Sequence, residues 1–99
     1  MQQQHDRLYV VVRKDLTPSQ SAVQAGHALA AYMLNRDRWR NSTLVYLGVK
    51  DLRELEKIKF KLDSEDIEYH EFKEPDIGNE PTAISSDINC AVFEKLNIL

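Results

Sequence analysis

Only one cysteine, Cys90, stands among 99 residues, so no disulfide can close within the chain. That fits a reducing, cytoplasmic setting and leaves Cys90 a structural residue, with no histidine spaced as its partner. Glycine is scarce too, and its three copies are not spaced as a phosphate-cradling loop. No G-x-S-x-G elbow occurs, which removes the usual serine-hydrolase signature. Three scattered histidines and one cysteine give no metal-ligand pattern, and no cofactor motif is present. No apolar run reaches membrane-span length, and the polar start MQQQHDR is no secretory signal. Basic excess is also missing: 13 Lys and Arg face 16 Asp and Glu, a net charge of −3. An extensive phosphate-gripping surface is therefore not expected, although basic residues gather at Arg13–Lys14 and at Arg36, Arg38 and Arg40.

What remains is an ordinary globular composition, 42% hydrophobic and 29% charged, sufficient for one domain with one core. Residues 1–7 read as a loose tail. Leu8 to Val12 is a continuous apolar strand, as expected when both faces are covered. A helix is predicted from Pro18 to about Asn35, with Thr17 as N-cap, Pro18 at the first turn and Gln20 closing a capping box. On a helical wheel Val23, Gly26, Ala30 and Met33 form the centre of its apolar face, with His27 at the edge and Gln20 and Gln24 beyond. Gly26, costly inside a helix, suggests a close approach to the backbone there.

The Asn35 to Ser42 connection carries Trp39, read as a lid over the core edge. Thr43 to Val49 is a second strand. Asp51 and Glu54 then repeat the capping-box spacing before a helix whose buried side is Leu52, Leu55, Ile58 and Leu62. Its outer side, with Glu54, Lys57 and Lys61, mixes signs and reads as a solvated face. Ile67 to Phe72 is a third strand nearer an edge, followed by a turn-rich EPDIGNEP loop and a short fourth strand, Thr82 to Ser85. Between Asp87 and Leu99, the residues Val92, Phe93 and Leu96 predict a final helical turn packed on the body. This is an α/β pattern, and right-handed crossovers predict a four-stranded, mostly parallel mixed sheet. In it strands one, two and three form a parallel core and the fourth is antiparallel.

Open α/β sheets bind ligands beyond the carboxyl ends of their parallel strands. That edge collects Arg13, Lys14 and Asp15, the start of the first helix and the Asp76 loop. Asp76 suits either ordinary turn chemistry or a catalytic carboxylate. Lys14 reads as a solvated lysine or an anion holder, and Asp15 as a turn residue pinned by Arg13. His27, about 13 Å along the helix from Pro18, reads as a core histidine or a neutral base.

The run Arg13-Lys14-Asp15-Leu16 followed by Ala22-Val23-Gln24-Ala25-Gly26-His27-Ala28 resembles the type-2, archaeal and eukaryotic class of peptidyl-tRNA hydrolases. Asp76-Ile77-Gly78 stands where that family has an Asp-Ala-Gly turn. The likeness runs from about Tyr9 to Ser86. It implies a mixed-sheet α/β fold, a cytoplasmic enzyme and water-driven cleavage of the ester between a peptide and the terminal ribose of tRNA. It also implies that Asp76 and His27 handle water, with Lys14 as the nearby positive charge. Arg13, Gln24 and Thr82 would meet the substrate, the acceptor end of peptidyl-tRNA, and no metal is required. A homodimer is a further assembly within the same reading.

The chain departs from the family at two places. Thr17-Pro18-Ser19-Gln20-Ser21 replaces a lysine-bearing stretch, and Asn79-Glu80-Pro81 intervenes before Thr82. These departures motivate the alternative of a non-catalytic relative that binds a small ligand or a protein.

Overall fold

A computed structural model describes residues 7–34 and 43–99. The Trp39 lid and all of the expected N-terminal tail except Arg7 lie outside the described residues. The strand β1 (Arg7–Arg13) leads into helix α1 (Pro18–Leu34), then β2 (Thr43–Val49) and helix α2 (Leu52–Ser64). They are followed by β3 (His70–Glu74), a 3-10 turn (Pro75–Ile77), β4 (Glu80–Ser86), a short α3 (Ala91–Glu94) and β5 (Asn97–Ile98). The sheet is five-stranded, in the order β3-β4-β1-β2-β5. Two differences from expectation follow. A fifth strand borders β2, pairing antiparallel through Leu47↔Ile98. Among the described residues the only parallel pair is β1 with β2, because β4 inserts between β3 and β1 and pairs antiparallel with both.

The insertion has a physical cause. A short turn joins β3 to β4, which makes a hairpin, and β4 is the more apolar of its two strands. Its Thr82 to Ser86 stretch is buried, and it takes the central place, while HEFKE of β3 is left at the edge with only partial burial. Alternation along β1 then divides the core. Tyr9 and Val11 pack with Leu55, Ile58 and Leu62 of α2, and Val10 and Val12 pack with Ala25 and Ala28 of α1. Tyr9 stacks on Phe93 of α3 at 4.7 Å, which docks the final helical turn on the body.

Both helix starts form as their sequences dictate. Gln20 N–H donates to Thr17 Oγ1 at 3.2 Å while Thr17 N–H donates to Gln20 Oε1 at 3.1 Å, a reciprocal capping box. In α2, Asp51 accepts from Glu54 N–H at 3.0 Å. The buried face of α1, however, is rotated from the apolar wheel. Ser21, Gln24, Ala25, Ala28 and Tyr32 face the sheet, whereas Val23 is 56% exposed. Hydrogen bonds account for the difference: Ser21 Oγ donates to Arg13 O at 3.1 Å, and Tyr32 Oη donates to Asp87 at 3.0 Å. Polar groups satisfied in this way are cheap to bury.

The rotation also turns Gly26 outward, and a Cβ placed there meets nothing within 4 Å. No close approach explains it. Gly26→Ala is accordingly expected to stabilise the protein by about 1 kcal/mol, the helix-propensity difference, read as a shift of the urea midpoint at unchanged slope.

Candidate functional site

At the carboxyl end of β3, the turn Pro75–Ile77 closes against the first half of α1. Glu74 caps this turn, its Oε1 accepting from Asp76 N–H at 3.3 Å, and Gly78 ends it at φ 73°, a conformation glycine takes without strain. Between turn and helix lies an open pocket of about 380 Å³, lined by Gln24, His27, Glu74, Asp76 and Thr82 among others.

A bulge sets Thr82 in place. Phe72 pairs with Ala83 and Lys73 with Pro81, so Thr82 is left opposite neither. A bulge re-aims a side chain. Here Ala83 packs among the α1-facing core residues, and the adjacent Thr82 also reaches toward α1. Thr82 Oγ1 donates to Gln24 Oε1 at 2.7 Å, and Gln24 Nε2 donates to Glu74 Oε2 at 3.1 Å. The relay fixes the Gln24 amide, which is 7% exposed. It also holds the Glu74 carboxyl below its usual range. The hydrogen bond from Gln24 is the main cause, with lesser help from the Asp76 N–H and from the charge of His27, against the opposing effect of burial. His27 lies flat on Phe72, ring centroids 4.2 Å apart and planes 6° from parallel. It is exposed at the pocket rather than placed at the edge of the core.

Thus Asp76, His27, Gln24 and Thr82, read from three separate places in the sequence, meet in one pocket. Lys14 and Arg13 are not in it. Lys14 lines a neighbouring hollow of about 310 Å³ with Ala22, Tyr46 and Leu99, and Leu16 borders both hollows. The stem of Lys14 lies on Gly48, where an added Cβ would stand 2.6 Å from its Cδ. The intervening β4 keeps the Asp76 turn from sharing a pocket with this lysine: two inter-strand steps, about 10 Å, separate β3 from β1.

Arg13 is 6% exposed and engaged on several sides. Its Nε and Nη2 donate to the two oxygens of Asp15 at 2.9 and 2.7 Å. Nη1 donates to Glu80 Oε1 at 2.7 Å and to Pro81 O at 3.2 Å. It clamps the exit of β1 to the start of β4 and is committed to that task. Asp15 is therefore the pinned turn residue.

Glu74 is the pocket residue that sequence reasoning overlooked. Its signal was an acidic side chain directly before Pro-Asp, the position of a cap. Gln24→Leu is expected to cost about 1–2 kcal/mol by leaving Thr82 and Glu74 without their shared partner. It should also raise the Glu74 pKa toward the ordinary carboxylate value, read by NMR titration of the side-chain carboxyl.

Among the described residues no group of three or more His, Cys, Asp or Glu could hold a metal ion, and no helix is long and apolar enough to cross a membrane. Searches against protein-family models and against curated proteins return no match for this chain.

Proposed function

We propose that the protein is a peptidyl-tRNA-hydrolase-like esterase of the cytoplasm, cleaving the ester that joins a peptide to the terminal ribose of tRNA. One observation carries this reading. Gln24 and His27 of the A-x-Q-x-G-H-A helix, Asp76 of the D-x-G turn and Thr82 after it line a single open pocket. In the reaction, water held between Asp76 and His27 loses a proton to one of them as its oxygen adds to the ester carbonyl. The carbonyl oxygen becomes an oxyanion, and the Gln24 amide, oriented by Thr82 and Glu74, offers its second N–H to it. Collapse breaks the bond to the ribose oxygen, which takes the proton back. The peptide leaves as a carboxylic acid that gives its proton to solvent, and no covalent intermediate, metal or cofactor enters.

A second reading has its own support. Lys14 faces a different hollow, and Asp76 and Glu74 make the pocket rim acidic, which suits a binding module that has kept the fold without the chemistry. Release of a labelled peptide from peptidyl-tRNA by the purified protein separates the two. The esterase reading requires turnover that scales with protein concentration. The binding module gives none.

A further inference from the structure

Two walls of the Asp76 pocket expose large apolar side chains. Val23 of α1 is 56% exposed and Ile77 of the turn 40%, and both line the pocket together with Leu16. Hydrogen bonds put Val23 there. Ser21 bonds to Arg13 O and Gln24 to Thr82, so those two take the sheet side and Val23, between them in sequence, is left outside. A single exposed valine needs no explanation, whereas apolar residues from two separate elements around one cavity mark a place for an apolar group.

The charge of the pocket is of one sign. Glu74 and Asp76 line it, and among the described residues no lysine or arginine does. Each Glu74 oxygen accepts one hydrogen bond, Oε2 from Gln24 and Oε1 from the Asp76 N–H, which leaves both able to accept another. The Gln24 bond also keeps this carboxyl below its usual range, so it is ionised at neutral pH. Gln24 itself is 7% exposed, and its second amide N–H has no acceptor among the described residues. Apolar walls, an acidic rim and one free donor thus converge on a single cavity.

We infer that the pocket selects lysine as the residue whose carboxyl is esterified to the ribose. This specificity rests on the esterase reading, in which the Gln24 N–H receives the ester carbonyl. The side chain next to that carbonyl then enters the pocket. Its methylenes lie between Val23 and Ile77, and its ammonium meets Glu74. An aliphatic residue fills the same walls but leaves the carboxylate unanswered, and an acidic residue is repelled. The phosphates of tRNA, repelled likewise, stay outside.

The test compares kcat/KM at low salt for N-acetyl-lysyl, N-acetyl-norleucyl, N-acetyl-alanyl and N-acetyl-glutamyl esters of one tRNA. Lysine should exceed norleucine by about fivefold, the upper range for an exposed ion pair. Norleucine should exceed alanine by about tenfold through its longer chain. Glu74→Gln should bring lysine level with norleucine and leave the advantage of norleucine over alanine unchanged. Val23→Ser should do the reverse, reducing norleucine towards alanine while lysine keeps its lead over norleucine. Ratios between substrates within one protein cancel any general loss of rate or of folded material. Equal rates for lysine and norleucine, a glutamyl ester cleaved as fast as the lysyl one, or a lysine lead that survives Glu74→Gln would overturn the preference and leave the esterase reading standing. Release from none of the four esters would overturn that reading and the preference with it.

Discussion

Replacing Arg13 with methionine is expected to destabilise the protein by about 2 kcal/mol and to lower its melting temperature by about 10 °C. Removing one member of a buried ion pair costs about 3–5 kcal/mol, because the partner charge is left without compensation. Here the arginine is buried but Asp15 and Glu80 each keep more than a third of their side-chain surface, so water takes up part of the loss. The methionine keeps most of the buried stem, which confines the effect to the guanidinium.

The same clamp predicts an acid dependence. Hydrogen bonds from Arg13 are the chief cause holding the Asp15 carboxyl below its ordinary value, against the smaller upward effect of burial. A carboxylate whose folded pKa is depressed adds stability above its unfolded pKa, about 3.9, and loses that contribution as pH falls through the folded one. Wild-type stability should therefore decline below about pH 4 more steeply than that of Arg13→Met. Urea titrations of both proteins across acid pH check the difference.

The second large effect concerns chemistry. Asp76→Asn keeps the size of the side chain and removes its ability to accept a proton, so peptide release should fall by about 10²–10⁴-fold, the usual contribution of a positioned base. The cap of the turn belongs to Glu74, not to the Asp76 carboxylate, so the fold should tolerate the change. An Asp76→Asn protein that melts with wild type and has lost turnover separates catalysis from structure. His27→Gln provides a graded comparison, because it removes the imidazole and its stack on Phe72. If both variants lose rate while substrate binding is unchanged, the two side chains act on the reacting atoms.

Much of this arrangement is legible in the sequence where the determinants are local. The Thr17–Gln20 capping box is written in neighbouring residues and forms as read, while of the Asp51–Glu54 box the Asp51 cap forms and the Glu54 carboxylate pairs with Lys57 instead. Leu55, Ile58 and Leu62 are buried as their spacing requires, whereas Leu52 of the same face is only half-buried at the helix start. What is not legible depends on distant partners. A wheel scores Ser21, Gln24 and Tyr32 as polar and faces Val23 inward. The backbone of Arg13, together with Thr82 and Asp87, supplies the bonds that reverse the assignment. The place of β4 between β3 and β1 is likewise a competition for the sheet centre that no single strand reveals. That competition separates Lys14 from Asp76. The bulge at Thr82 was hidden for the same reason, since it exists only in the pairing of β3 with β4.

The Asp76, His27 and Gln24 pocket is tested most directly by initial rates of peptide release from peptidyl-tRNA, wild type beside Asp76→Asn at equal concentration. The account predicts release by the wild type and a loss of at least about a hundredfold in the variant. Equal rates for the two proteins, or no release from either at any concentration, would contradict it.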